Sequence, residues 1–322
     1  MAFKAILGGI LLALLTASPA LADAYPGDTV KIVVPYPPGG LTDTVARLMA
    51  KELSARWHGN GVYVDNRGGA GGNIGAEYVA QSKPDGYTLM ISAAAPLSYN
   101  KDLYPHLDYD PAAFQPISVL IKGYSLLVVK PSSPFKSLKD LIDYARANPG
   151  KLTYASSGNG STPNLAASLL KSLAHIDMLG ITYRGIGPAM NDVVSGQVDM
   201  MFPEVGGALP LVKGGQLRAL AYGGDKRAAA LPNVPTVAET VPGFLSVTWF
   251  AMTAPPKTPD AITAKISADV AAILKNPRVV TQIEAFSVEP VGGTPAETRA
   301  FINREAKRWS QVLEGSTIKI KG

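Results

Sequence analysis

Two stretches of the chain carry the residue types and spacing of an anion site. At 30–53, VKIVVPYPPGGLTDTVARLMAKEL sends an apolar strand through a Pro-Pro-Gly-Gly turn into an amphipathic helix. Glycine lets backbone approach a ligand closely, and the free N–H groups of a helix's first turn, backed by the positive end of its dipole, suit an anion. At 152–170, LTYASSGNGSTPNLAASLL repeats the arrangement, with a small, polar, Gly-rich loop and Pro163 near the first helical position. Two such loops predict one ligand held from two sides. Ser156, Ser157 and Ser161 read as hydrogen-bond donors to it, since no residue close in sequence can act as a general base for a nucleophilic serine; a solvated loop is the alternative. Asp43 would repel an anion if it pointed inwards, so it is expected to cap the helix or brace the loop. Preformed N–H groups and hydroxyls suit a carboxylate and do not require an arginine.

Other chemistries find little support. GGAGGNIG at 68–75 follows a strand and precedes a helix, but places Ile74 where a dinucleotide fingerprint needs its third glycine, so it reads as a tight turn. There is no P-loop and no nucleophile elbow. His58, His106 and His175 have no partner at a metal-like spacing. The absence of cysteine removes disulfides, thiol nucleophiles, thiolate metal sites and an acylated lipoprotein anchor. No cofactor and no catalysis are therefore expected. The 30 Lys and Arg against 25 Asp and Glu are spread without a dense basic run, which argues against a nucleic-acid partner while helping to attract small anions.

The first residues, MAFKAILGGILLALLTASPALADA, read as a secretory signal, with Lys4, an apolar run at 5–15, and small residues at Ala20 and Ala22. The run falls short of the ~20 residues that span a bilayer, and an N-terminal anchor is the alternative. Cleavage after Ala22 or Ala24 leaves about 300 residues, enough for two domains. An exported chain without disulfides points to a bacterial periplasm.

Strand patterns at 30–36, 62–66, 87–92, 125–130, 152–155, 199–202 and 217–222 alternate with helical patterns at 44–53, 74–81, 138–147, 164–174 and 189–194, which predicts an α/β fold. Two longer helices follow. One has an apolar face of Ile262, Ile266, Val270 and Ile273; the other opens on a capping box of Thr294, Pro295 and Glu297 and carries the stripe Ile302, Ala306, Trp309, Leu313. Either 99–115 or 231–242 is expected near a crossing between domains.

The segments YPGDTVKIVVPYPPGGLTDTVAR, DNRGGAGGNIGAEYVAQSKPDGYTLM, SGQVDMMF, GGQLRALAYGGDKR, LPNVPTVAETVPGF and EPVGGTPAE follow in this order along the mature chain, and the resemblance they carry covers essentially all of it. In them the sequence resembles the Bug-type (TctC-like) periplasmic solute-binding proteins of tripartite tricarboxylate transporters. The resemblance implies a two-domain periplasmic binding protein, two mixed-sheet α/β domains closing about a hinge like a Venus flytrap. Domain 1 would comprise 25–121 plus 248–322 and domain 2 would comprise 122–247, after a signal peptide at 1–24. It implies that a solute carboxylate is held by two loops: Pro38, Gly39, Gly40, Leu41, Thr42 and Asp43, and Ser157, Gly158, Asn159, Gly160, Ser161 and Thr162. Tyr36, Ala95 within 94–98, Tyr183, Arg184 and Glu204 are further pocket candidates. Where the family's helix begins His-Leu-Ala with a Glu four residues after the His, this chain has Asn164-Leu165-Ala166 and Ser168. Arg184 stands where Lys is common and could clamp a second carboxylate in a bidentate way.

The resulting expectation is a monomeric periplasmic protein that captures a di- or tricarboxylate or an aromatic acid and delivers it to the membrane subunits of a tripartite tricarboxylate-type transporter. An orphan sensor of the same fold, signalling to a sensor kinase, is the second reading, and an exported hydrolase using the loop serines is the third.

Overall fold

The computed structural model describes residues 25–158, 160–183 and 185–314. The expected leader, Asn159 and Arg184 lie outside the described residues. Strands β1 (Val30–Val34), β2 (Val62–Asn66), β3 (Thr88–Ala93), β4 (Gln115–Tyr124), β10 (Val247–Ala254) and β11 (Glu289–Pro290) form one sheet in the order β11-β4-β10-β3-β1-β2. A second sheet, β7-β6-β8-β5-β9, is built from β5 (Leu126–Val129), β6 (Thr153–Ser156), β7 (Leu179–Thr182), β8 (Met200–Met201) and β9 (Arg218–Tyr222). Both are mixed: β1 runs parallel to β2 and β3 while β10 is antiparallel to β3 and β4, and β6 runs parallel to β7 and β8 while β5 is antiparallel to β8 and β9.

The helices are α1 (Leu41–Arg56), α2 (Asn73–Ala80), α3 (Ala94–Leu97), α4 (Asn100–Leu103), α5 (Leu138–Ala147), α6 (Thr162–Ala174), α7 (Ile186–Ser195), α8 (Val205–Lys213), α9 (Asp260–Leu274), α10 (Pro277–Glu284) and α11 (Pro295–Glu314). They cover both faces of each sheet because successive strand residues point to opposite sides. Ile32 and Val34 join Val45, Met49 and Leu53 of α1 and Ile262, Ile266 and Val270 of α9, whereas Val33 and Met90 face Val79 of α2 and Ile302 and Trp309 of α11. In the second sheet Leu127 and Val129 pack on α5 and α6, and Leu126 and Val128 on α7 and α8. The expected capping box of α11 is present: the Thr294 N–H donates to Glu297 Oε2 at 2.8 Å, and the Glu297 N–H to Thr294 Oγ1 at 3.2 Å.

The chain changes sheet at Ser125, between β4 and β5, and again after β9 before β10. The two crossings lie side by side. The Gly223 N–H donates to the Ser125 carbonyl at 2.8 Å, the Ser125 N–H to the Ser246 carbonyl at 3.3 Å, and the Ser246 N–H to the Gly223 carbonyl at 2.9 Å. A bridge between Ser125 and Glu204 and a bond from the Leu126 N–H to the Pro203 carbonyl tie the end of β8 to the same point. The stretch 99–115 is no crossing; its Tyr, Asp and Pro build α4 and the capped turn at Pro111–Ala113 within the first lobe. The segment 231–242 lies within the long return that leads to the second crossing.

Gly223 has no room for a side chain: a Cβ there would sit 2.5 Å from Ser125 Oγ and 2.9 Å from the Ser125 carbonyl oxygen. Gly223→Ala is expected to destabilise the protein by about 1–3 kcal/mol, the usual cost of overpacking. It would appear as a lowered urea midpoint with an unchanged slope. A midpoint equal to wild type would show that the crossings do not depend on this close approach.

Candidate ligand site between the two sheets

The first loop ends at Gly40, which caps α1 in an extended conformation with no side-chain cap, so first-turn N–H groups remain unclaimed by side chains. Asp43 is buried and faces the loop, as expected. Its Oδ2 accepts from the Gly39 N–H and from Arg47 Nε, each at 3.0 Å, and its Oδ1 accepts from Asn66 Nδ2 at 3.0 Å. The same Asn66 amide donates to the Tyr36 carbonyl at 3.1 Å, closing the brace.

The second loop leaves β6 at Ser156. Ser161 donates its hydroxyl to the Gly158 carbonyl at 2.7 Å, and the Gly160 N–H donates to Asn164 Oδ1 at 3.2 Å. Asn164 thus holds the loop's shape from within α6, while Ser168 Oγ folds back to the Asn164 carbonyl at 2.9 Å. Ser161 caps α6 through its backbone and no side chain caps that helix either. Tyr183 lies elsewhere: its hydroxyl donates to Asp192 Oδ2 at 2.6 Å, and burial followed by this bond pushes the phenol up to about 12.

Between the loops is a cavity of about 530 Å³. From the second lobe it is lined by Ser157, Gly158, Gly160, Ser161, Thr162 and Glu204, and from the first by Tyr36, Leu41, Thr42, Gly71, Ala93, Ala95, Tyr99, Asn100, Leu103, Tyr104, Thr248 and Phe250. The structure therefore brings ten sequence candidates to one wall, whereas Pro38, Gly39, Gly40, Asp43, Asn164 and Tyr183 stand outside it. Sequence reading misses Gly71, Ala93, Tyr99, Asn100, Leu103, Tyr104, Thr248 and Phe250. Asn100 is fixed by donating to Asn73 Oδ1 at 2.6 Å and to the Gly71 carbonyl at 3.2 Å, so the glycine turn at 68–75 backs the cavity. Burial raises the phenols of Tyr36 and Tyr99 well above the ordinary range, leaving them as neutral hydroxyls on aromatic rings.

Among the described residues of the wall there is no Lys, Arg or His, and Glu204 carries the one acidic group. Thr248 Oγ1 donates to Glu204 Oε1 at 3.2 Å and lies 3.2 Å from Thr162 Oγ1, so the two lobes touch through this triad. Burial raises the Glu204 pKa, opposed by the Thr248 bond. No basic residue is placed to activate Ser157 or Ser161 within the described wall, and among the described residues no cluster of His, Asp or Glu could hold a metal ion. Aromatic and apolar surface, hydroxyls and two uncapped helix starts together suit a small anion with an apolar body.

Two mixed α/β lobes enclosing such a cavity define the architecture of a periplasmic binding protein. Residues 45–318 match the model of the tripartite tricarboxylate transporter family receptors, TctC, and the chain belongs to that family. It is 37% identical over 310 residues to Protein BugT of Bordetella pertussis, covering 95% of this chain and 94% of that one. Among solved structures it is similar to a R. palustris protein with adipate, with TM-score 0.78, 36% identity and coverage of 90% of this chain and 97% of that one. MatC from Rhodopseudomonas palustris with bound malate gives TM-score 0.76 at 32% identity, covering 90% of this chain and all of that one. The periplasmic binding protein BugD gives 0.76 at 30%, covering 92% and 100%. Among the described residues no helix is long and apolar enough to cross a membrane.

Burial alone would raise the Asp43 pKa, but the bonds from Arg47, the Gly39 N–H and Asn66 outweigh it and hold the carboxyl below its usual range. A folded-state pKa below the unfolded one adds stability that is complete above about pH 4 and is lost as pH falls through the lowered value. Asp43→Ala is expected to cost about 1–3 kcal/mol at neutral pH in urea unfolding. The gap from wild type should narrow as pH drops below about 4. A gap independent of pH would show that the carboxylate charge does not hold the loop.

Proposed function

We propose that this protein captures a small organic carboxylate, a dicarboxylate or an aromatic acid, between its lobes in the periplasm and hands it to the membrane subunits of a tripartite tricarboxylate-type transporter. The observation that carries the reading is the pair of helix starts, α1 and α6, that face one cavity with no side-chain cap of their own. A carboxylate there would accept from first-turn N–H groups of α1 and from the hydroxyls of Thr42 and Ser157, with Tyr36, Leu41 and Phe250 against its carbon body. Relatives of the same fold with adipate and with malate support a carboxylate ligand. In this reading the moving bodies are 25–121 with 248–322, and 122–247, rotating about the paired crossings at Ser125 and between Gly223 and Ser246. Closure buries the solute and presents the surface that the membrane partner recognises, and one copy of the chain completes the site. No reaction is catalysed.

The test is a thermal-shift screen of the signal-free protein, refolded to strip carried-over solute, against adipate, malate and benzoate and their uncharged amides. A ligand that binds only the native state raises the midpoint, by about 2.7 kcal/mol of stability at a hundredfold excess over Kd. The expected outcome is a rise for an acid and none for its amide. Gly158 has φ +132°, and a Cβ there would meet nothing within 4 Å, so a larger side chain occupies the cavity instead of clashing with the scaffold. Gly158→Val is therefore expected to abolish the shift while the protein still folds, at a cost of about 1–3 kcal/mol in backbone strain. Acid binding undiminished in this variant would remove the second loop from the site.

A further inference from the structure

Glu204 lies where the two lobes meet. It precedes α8, its backbone bridges to Ser125 at the crossing, and its side chain lines the cavity. Thr248 has a single hydroxyl proton, and giving it to Glu204 Oε1 leaves Thr162 as the donor to Thr248. The hydroxyl protons thus run in one direction, from α6 through β10 to Oε1. No protein group among the described residues hydrogen-bonds Oε2.

An anion drawn to the starts of α1 and α6 enters this same space. Two carboxylates side by side repel strongly where water is excluded, and sharing a proton is how such pairs coexist. Resting on the carboxylate-capture reading above, we propose that Glu204 meets the captured carboxylate as a neutral acid, with Oε1 accepting from Thr248 and the Oε2 hydroxyl donating to a ligand oxygen. One solvent proton added to Oε2 therefore accompanies the anion into the closed cleft, and no covalent bond to carbon is made or broken.

The surroundings of Glu204 favour this state. Burial is the largest influence on its carboxyl and raises the pKa. The first turn of α8 favours the charged form, and a bound anion pushes the other way. β10 and α6 offer it the hydroxyls of Thr248 and Thr162. The titratable groups on the described wall, besides Glu204, are the phenols of Tyr36, Tyr99 and Tyr104; those around the crossing are the phenols of Tyr124 and Tyr222, the carboxylates Asp225 and Glu289, and the Arg308–Glu305 pair at Leu245, and burial raises the five phenols. Among the described residues of the wall no cation faces it to hold the charged form.

The test is isothermal titration of the wild type and Glu204→Gln with adipate, malate and benzoate from about pH 6 to about pH 9, where these acids stay ionised. Glutamine keeps the shape and an N–H donor and cannot titrate. For the acid that binds, wild-type affinity is expected to weaken with rising pH, approaching about tenfold per unit above the Glu204 pKa. Glu204→Gln should bind within about threefold of wild type at pH 6 and show no slope. Proton uptake is counted independently, from the change in wild-type binding heat between buffers of different ionisation enthalpy across the sloping range. A flat wild-type profile to pH 9, a slope shared by Glu204→Gln, or a folded Glu204→Gln without affinity would each overturn the proposal. Failure of the wild type to bind any of the three acids would instead sink the carboxylate-capture reading and this inference with it.

Discussion

The paired crossings are the constraint on which the remaining structure depends. Two sheets of one chain share a cavity only if the polypeptide passes between them where the loops of both can meet, and here two passages run side by side. Ser125 and Gly223 exchange sheets within hydrogen-bonding distance of Ser246, and the end of β8 joins them at Pro203 and Glu204. These bonds satisfy backbone groups that neither sheet could pair. They also fix where Glu204 and Thr248 stand, because each lies within two residues of a crossing partner. The chemistry of the cavity floor is therefore set by topology before any loop is placed.

The cavity walls follow a different logic. Apart from Glu204, the described walls present backbone and hydroxyl groups with no charged side chain, and the residues with strong hydrogen-bonding capacity mostly brace the loops from behind. Asp43 spends both oxygens on Gly39, Arg47 and Asn66, Asn164 holds Gly160, and Asn73 holds Asn100. A loop fixed in this way has little further entropy to lose on binding a solute, which favours neutral donors in their competition with water. The same restraint explains why so many residues of the two motifs lie outside the cavity wall.

Much of this was legible in the sequence because local signals and tertiary structure agree. The strand-to-glycine-to-helix junctions at β1–α1 and β6–α6 sit where the pattern places them, and so does the capping box of α11. The central strands β4 and β10 were missed because neither alternates: every residue of β10 is buried, so it has no polar face to mark its period. With β10 went Thr248 and Phe250. Tyr99, Asn100, Leu103 and Tyr104 escaped for another reason. They belong to short helical turns fixed by tertiary contacts with Asn73 and Gly71, and nothing in their local spacing announces a wall. Tyr183 shows the converse, a residue in a familiar motif position whose hydroxyl is taken by Asp192.

The helix α11 joins these parts. It packs on the first sheet through Ile302 and Trp309, yet Val312 also lies against the core of the second lobe. Arg308 donates to the Leu245 carbonyl, next to Ser246 of the crossing, and is itself held by the buried Glu305 at 2.6 Å. Two residues on, Ser310 donates to Asp102 at 2.6 Å, within the α4 segment that lines the cavity. A single helix thus touches the crossing, the segment that lines the wall and the core of the opposite lobe. From the second lobe, α6 both contacts α11 and opens on the cavity. The packing of α6 on α11 and the bond from Thr162 to Thr248 lie on the same helix, one along its side and one at its start. The cavity end of α6 and its contact with α11 are thus parts of one helix, so a displacement of one is a displacement of the other.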